Sequence, residues 1–450
     1  MGLDSHDLDI AIDKMMGEKF AEKLIDYLKT KNISASSCGV IHSNPDRSKH
    51  LETATLAIFG QFIDFVNLRA ETYASDSRIP DSVVFGSPLE DALRLDITIN
   101  SMFWNIHTEE VEDFTGFGLV DIDSRIIRTP LPPKETLLDD PLRLLRVIRF
   151  ATRFQYSIVP ELMEALQDPI VHLKLKEKVS RERIGIEVDK ILQDRYGLQG
   201  MFLINQVGVF NTIFGCQDLN ENLNCYASVE TSFDGVNSLL SAFAKIVYFN
   251  PDWSRQELRL ALLACGMIPC AGQKYQIKKG NQLSGIKEDF LVHSIVRDCL
   301  KLSNKDISAV GSVLNHLDRI DKLLLGQNRD HDPVLIGRIL KDIGSEWKLA
   351  FALATVRLFW LNGCNSSEEV VIREYLGKLS DLLLYIDGIG LSEAWQLKPL
   401  LTGQEVQELL KVKPGTIIGK KLTELLDWQY KNPKATKEEA YEFMMMTLLM

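Results

Sequence analysis

The apolar pattern of this chain changes character once, near Asp139, and that change limits what the chain can fold into. Before it, strand and helix signals alternate. Leu8-Asp9-Ile10-Ala11-Ile12 reads as a short alternating strand. Phe20, Leu24, Ile25 and Leu28 fall at helical spacing within Gly17–Leu28. Cys38–Ile41 reads as a strand, and Glu52–Phe59 with Gln61–Leu68 as a hairpin turning at Gly60. Arg69–Glu90 is polar and carries Pro80 and Pro88, which predicts a loop, and Asp91–Asn105 reads as a helix.

After Asp139 the strand signals fade. Asp139-Asp140-Pro141 is a helix start, with an acidic cap and a proline in the first turn. Helical patterns then follow one another: Ser180–Leu192, Val236–Val247, Arg255–Cys265, Asp289–Leu302, Val334–Ile343, Trp347–Leu361, Ser366–Ile386, Gln404–Lys411, Thr416–Lys431 and Lys437–Leu449. The pattern predicts an α+β protein, an α/β head followed by an all-helical remainder.

At 450 residues the chain is too long for one core. With 51 basic against 62 acidic residues, net −11, it is not a protein that coats nucleic acid by bulk charge, although a local basic groove stays open. Its seven cysteines contain no CxxC pair, which fits free thiols in a reducing, intracellular compartment. The close pair Cys265 and Cys270 reads as two buried helix residues rather than half a zinc site. The longest apolar stretch, near Leu258–Ile268, carries Arg259 and falls short of the ~20 residues that span a bilayer, so no membrane partner is expected.

Several short motifs carry chemistry. Asp7 and Asp9 are two apart in a strand, so their carboxylates share a face. Converging carboxylates suit hard divalent cations, which can activate a hydroxyl and hold a triphosphate. A solvated N-terminal turn is the bland alternative. Asp64 is a charge inside the apolar strand Phe62–Val66 and can sit beside them as a third carboxylate, or be a strand-edge charge. In Asp139–Phe150, Arg143, Arg146 and Arg149 recur every three residues and line one helical face, either for phosphate or base contact or as a salt-bridged surface. Asp91–Asn100 holds Arg94, Asp96 and Asn100 as polar punctuation. Asp113–Asp121 is a glycine-rich turn without the lysine of a P-loop. Lys174, Lys176, Lys178, Arg181 and Arg183, and separately Lys411, Lys413, Lys420 and Lys421, form basic stretches that can track RNA or simply face solvent.

In order, these motifs resemble those of the class II tRNA nucleotidyltransferases, the CCA-adding enzymes of the poly(A) polymerase superfamily, in their eukaryotic form. Ser5–Ala11 resembles the second half of the first motif, and Arg69-Ala70-Glu71-Thr72-Tyr73 the flexible-loop motif. Asp91–Asn100 resembles the ribose-selecting motif and Asp113–Asp121 the hinge motif. Ile127–Pro132 and Asp139–Phe150 resemble the approach to the nucleotide template and the template itself. Ser180–Ile184 with Glu187 resembles the neck motif, and Lys413–Gly415 with Gly419-Lys420 the tail.

The resemblance implies addition of C, C and A to a tRNA 3′ end from CTP and ATP, with Mg²⁺ held by Asp7 and Asp9. It implies that Asp140 and Arg143, on adjacent turns of one helical face, read the base. Arg94, Asp96, Asn100, Arg146 and Arg149 would lie around the nucleotide, and Arg69, Glu71 and Tyr73 in the flexible loop. It implies a nucleotidyltransferase head over 1–137, a helical neck over 138–205, a body over 206–390 and a tail over 391–450. Body and tail would grip the acceptor–TΨC arm. The compartment stays open among cytoplasm, nucleus and mitochondrion. Two departures stand out. The family's Gly-Gly-x-x-Arg-Asp segment before Ser5 is missing, so an N-terminally truncated head is expected, and Leu95 replaces the second of two adjacent arginines. These departures raise an alternative, a catalytically impaired tRNA-binding relative. A third reading is narrower chemistry, adding only C, only A, or oligo(A).

Overall fold

The computed structural model describes residues 8–13, 15–33, 39–41, 53–73, 80–215, 236–249, 253–277, 287–326, 331–362, 369–411 and 415–447. The chain divides into two compact units, Met1–Ile213 and Phe214–Met450.

In the first unit, strands β1 (Leu8–Ile12), β2 (Gly39–Ile41), β3 (Thr53–Ile58) and β4 (Gln61–Asn67) form one sheet in the order β1-β4-β3-β2. β1 runs parallel to β4, and the other pairs are antiparallel. The β3–β4 turn places Phe59 and Gly60 at φ 53° and 79°, both left-handed, as a tight two-residue hairpin requires. Alternation then sorts the side chains. Ile10, Ile12, Ile63, Phe65, Ala54 and Leu56 pack on one face under helix α1 (Gly17–Thr30), which contributes Phe20, Ala21, Leu24 and Leu28. Gly17 is required at the start of α1, because a Cβ there would lie 2.6 Å from the Phe65 carbonyl oxygen. The Asn67 amide donates to the Ile12 and Met15 carbonyls and ties the far end of β4 to the β1–α1 turn.

Arg69–Glu90 is not a loop. β5 (Arg69–Tyr73) and β6 (Pro80–Phe85) pair as an antiparallel ribbon. Nor is Asp91–Asn105 one helix. It breaks into α2 (Pro88–Leu93), a turn, a 3₁₀ turn at Thr98–Ser101 and strand β7 (Phe103–Asn105), which pairs with β8 (Glu110–Glu112). Then come α3 (Gly118–Ser124), β9 (Ile126–Ile127), α4 (Pro133–Asp139), α5 (Arg143–Phe154) and β10 (Ser157–Ile158), with β10 parallel to β9. α6 (Pro160–Leu166), α7 (Pro169–Lys178), α8 (Arg181–Gln193) and α9 (Gly197–Val207) follow, and a short helical turn at Phe210–Phe214 lies at the unit's end. Leu144, Leu145, Val147 and Ile148 of α5 and Ile184, Val188 and Ile191 of α8 are buried.

The second unit is mostly helical: α10 (Val236–Phe249), α11 (Arg255–Gly266), α12 (Asn304–Leu314), α13 (Leu317–Leu325), α14 (Pro333–Ile343), α15 (Trp347–Leu361), α16 (Glu369–Gly388), α17 (Gly403–Leu410), α18 (Thr416–Lys431) and α19 (Lys437–Met446). α15 is buried nearly all round, so its sequence is apolar on every side. The expectation of an all-helical remainder needs correction in two places. Lys274–Ile277 pairs with Lys287–Phe290 as a small ribbon in this unit, and β9–β10 bridges helices in the first. Asp289–Leu302 is also no regular helix, since Ile295–Cys299 is wound as a π-helical turn. Cys265, Cys270 and Cys299 are buried. Cys38, Cys216, Cys225 and Cys364 lie outside the described residues. Among the described residues no helix is long and apolar enough to cross a membrane.

Candidate active site

The sheet face opposite α1 carries a row of polar residues. The register sets Asp9 of β1 beside Asp64 of β4, and Asp64 beside Thr55 of β3. Adjacent residues in a sheet point to the same side, so the two carboxylates stand together, as their spacing in the sequence allowed. The Thr55 hydroxyl donates to Asp64 Oδ1 at 2.5 Å. Asp9 is exposed and Asp64 is half-buried. Paired carboxylate oxygens are the donor set that a hard divalent cation takes. Asp7 lies outside the described residues.

The flexible-loop residues Arg69, Glu71 and Tyr73 all belong to β5, with Glu71 opposite Val83 and Tyr73 opposite Pro80. The side chains of Glu71 and Tyr73 lie outside the described part. The Arg69 N–H donates to Asp91 Oδ1 at 3.1 Å, which fastens the start of β5 to α2.

Next comes the segment after α2. Arg94 pairs with Asp91 at 2.8 Å. Asp96 is only 3% exposed. Its Oδ1 accepts from the Ile97 N–H and from Asn100 Nδ2, both at 3.0 Å. Its Oδ2 accepts from Arg146 Nε of α5 at 2.6 Å. Burial opposes the charge on Arg146, but the Asp96, Glu187 and Asp140 carboxylates together outweigh it, Asp96 foremost, and hold the guanidinium above the ordinary arginine pKa. Asp96, Asn100 and Arg146 are thereby brought into one cluster.

Asp140 and Arg143 do not share a helical face. Asp140 is an extended residue (φ −130°, ψ 99°) between α4 and α5, and α5 begins at Arg143. The reason is local: Asp140 Oδ1 accepts from the Leu142 N–H at 3.2 Å, an Asx-type turn that competes with helix. Its Oδ2 accepts from Arg183 of α8 at 3.2 Å. Arg143 is 8% exposed; it donates to the Thr136 carbonyl at 2.9 Å and the Arg94 carbonyl at 2.5 Å. Arg149 pairs with buried Glu187 of α8 at 2.7 Å and lies 4.1 Å from the Phe150 ring centroid. Of the template arginines, Arg146 turns to the head-side cluster and Arg149 to α8.

Sequence reasoning left Thr55, Asp91, Thr98, Asp121, Arg128 and Glu187 out of the candidate set. Asp121 is fully buried, accepts from the Thr98 hydroxyl at 2.6 Å and faces Arg128 at 3.3 Å. Arg128 stacks on Phe117, 4.5 Å from its centroid. The glycine-rich motif therefore anchors the 3₁₀ turn that follows Asp96. Its signal was an aspartate in an otherwise apolar helical turn. Part of the basic stretch is also structural. Arg181 donates to the Thr212 and Ile213 carbonyls, and Lys174 pairs with Glu177. In the C-terminal stretch Lys421 pairs with Glu424, and Lys413 lies outside the described residues.

A poly(A) polymerase head domain model matches residues 1–128. The mitochondrial CCA tRNA nucleotidyltransferase of Saccharomyces cerevisiae is 35% identical over 98% of this chain and 84% of its own length. The chain belongs to the CCA tRNA nucleotidyltransferase family. The tRNA nucleotidyltransferase cca1 of Schizosaccharomyces pombe, a second family member, is 34% identical over 98% of this chain and 88% of its own. A CCA-adding enzyme solved in complex with ATP has the same fold, with a TM-score of 0.61 at 19% identity over 100% of this chain and 87% of that one.

Proposed function

We propose that this chain adds C, C and A to the 3′ end of tRNA from CTP and ATP, without a nucleic-acid template and with release of pyrophosphate. The observation that carries the reading is the placement of Asp140 and Arg143 at the mouth of α5. Cytosine and adenine each offer an exocyclic amine beside a ring-nitrogen acceptor. Asp140, oriented by the Leu142 N–H and Arg183, accepts from the amine. A guanidinium carries several N–H donors. Arg143 uses donors on the Thr136 and Arg94 carbonyls, which fix its plane, and offers the rest to the ring nitrogen. Uracil and guanine present the opposite pattern and would leave both groups unpaired.

In this reading Asp96, Asn100 and Arg94 border the ribose, and Arg146 and Arg149 border the nucleotide from α5. Asp7 and Asp9, with Asp64 as a third carboxylate, would hold Mg²⁺. Two such ions would supply charge neutralisation of the triphosphate and acidify the tRNA 3′-hydroxyl. The hydroxyl attacks the α-phosphorus in line, and pyrophosphate leaves opposite to it. The division into head 1–137, neck 138–205, body 206–390 and tail 391–450 belongs to the same proposal. A separate small core supports the tail as a module: Leu401, Val406, Leu425, Ala440 and Met444. Body and tail would take the acceptor–TΨC arm by shape and phosphate contacts. The reaction is intracellular, in cytoplasm, nucleus or mitochondrion.

One observation favours a second reading, an impaired tRNA-binding relative. Leu95 stands in the turn after Arg94, its N–H bonded to the Ala92 carbonyl, and supplies no charge there. Incorporation of single nucleotides into tRNA ending in C75 or lacking CCA tests both readings. Arg143→Ala should lower the preference for C and A over U by about tenfold, the scale of one lost hydrogen bond to a charged group. Arg143→Ala with unchanged selectivity contradicts the base-reading role. An unmodified chain that binds tRNA and incorporates nothing establishes the second reading.

A further inference from the structure

Asp64 sits between two strands whose neighbouring residues differ in kind. On the β1 side the register gives it Asp9, a carboxylate, and on the β3 side Thr55, a hydroxyl. The Thr55 hydroxyl donates to Asp64 Oδ1 at 2.5 Å, the short range of a hydroxyl bonded to a carboxylate. That bond fixes which oxygen faces Thr55. Oδ1 is committed to β3, and Oδ2 does not take part in that bond.

The geometry points to Thr55 as a positioning residue for the catalytic carboxylates: its hydroxyl turns Asp64 so that Oδ2 and the Asp9 carboxylate face a common divalent cation. This inference rests on the proposed reading of Asp9 and Asp64 as cation-holding groups, and it assigns the residue that orients one of them. An aspartate in a strand has two equivalent ways to present its oxygens, since rotation about its terminal torsion is soft. A β-branched threonine is stiff at χ1 and so makes a fixed donor. The bond also neutralises part of the repulsion that two adjacent carboxylates would feel before a cation arrives.

The test is binding of Mn²⁺ to the full chain, with free Mn²⁺ read by electron paramagnetic resonance, alone and with an α,β-methylene CTP analogue that cannot be incorporated. Thr55→Val keeps the shape and the strand preference but removes the donor. It should weaken Mn²⁺ binding about five- to tenfold, the scale of one ordinary net hydrogen bond. Thr55→Ser should restore most of it. In an Asp64→Asn background, Thr55→Val should add nothing further, because the hydroxyl acts only through that carboxylate. Thermal unfolding followed by circular dichroism checks that the variants fold. Thr55→Val with undiminished Mn²⁺ binding overturns the inference, and so does a Thr55→Val loss of equal size in the Asp64→Asn background. Failure of the underlying reading looks different. There Asp9→Ala and Asp64→Asn themselves leave Mn²⁺ binding unchanged, and the role of Thr55 falls with them.

Discussion

Arg146→Met keeps the length of the side chain and removes its guanidinium, which strands a carboxylate. Asp96 is 3% exposed and would lose the 2.6 Å bond to its Oδ2, while its Oδ1 keeps the Ile97 N–H and Asn100 Nδ2. Breaking a fully buried ion pair by removing one partner costs about 3–5 kcal/mol. Two features reduce that here. The Arg146 side chain is 36% exposed, so water screens part of the attraction, and the Asp96 carboxylate stays half-satisfied. The expected loss is about 1.5–3 kcal/mol. Asp96→Asn removes the charge instead and should cost about 1–2 kcal/mol. The two substitutions share one interaction, so the double variant should be no worse than the weaker single one, a coupling of about 1–2 kcal/mol. Urea unfolding of the full chain, with hydrogen exchange followed at the amides of α5, measures these quantities where the pair sits. A loss below about 0.5 kcal/mol for Arg146→Met, or simple additivity in the double variant, refutes the reasoning.

Two further outcomes follow from packing and charge in the second unit. A Cβ at Gly337 would lie 2.3 Å from the Tyr430 ring, whereas one at Gly377 meets nothing within 4 Å. Gly337→Ala should therefore lose about 1–3 kcal/mol and lower the melting temperature, and Gly377→Ala, inside α16, should gain about 0.5–1 kcal/mol. Shifts of the same sign in both would contradict this. The Lys437 ammonium, with help from the Thr402 N–H, holds Glu405 at about 2 against an ordinary 4.5. The folded value lies below the unfolded one. The stabilisation is therefore complete above about pH 4.5 and is lost as pH falls toward about 2. Lys437→Met should move the Glu405 titration upward in a carboxyl-resolved NMR titration, and an unchanged midpoint would contradict the assignment.

The parts of the fold that were legible in the sequence are those with a buried face and a regular period. β1, α1 and the β3–β4 hairpin stand where Leu8–Ile12, Gly17–Leu28 and Glu52–Leu68 put them, because Ile10, Phe65 and Leu24 meet in one core. The β5–β6 ribbon was illegible because Arg69–Phe85 shows no alternation of apolar and polar residues, so no period-two signal reaches the sequence. The Asp91–Asn105 helix fails for a different reason. Asp91 and Asp96 give their carboxylates to backbone N–H groups of Arg69 and Ile97, and such local bonds stop a helix that spacing alone would continue. The same competition at Asp140 delays α5 to Arg143 and separates two residues that spacing placed on one face.

In the candidate site, residue types were easier to read than partners. That Asp9 and Asp64 would neighbour one another needed only two strands and a parity argument, which the register satisfies. That Arg146 would reach Asp96, Arg149 would reach Glu187 and Arg183 would reach Asp140 depends on how α5 and α8 cross. No periodicity within a single helix encodes that crossing. Asp121, fully buried and bonded to Thr98, belongs to the same class, since its partner lies across a hairpin.

The most direct measurement combines the purified chain, Mg²⁺, a tRNA transcript lacking its CCA end, and CTP and ATP singly or together, with products sized on a denaturing gel. The proposed function predicts extension by C residues with CTP alone and completion through the terminal A only when ATP is also present. No extension in any mixture, or a long oligo(A) ladder with ATP alone, would contradict it.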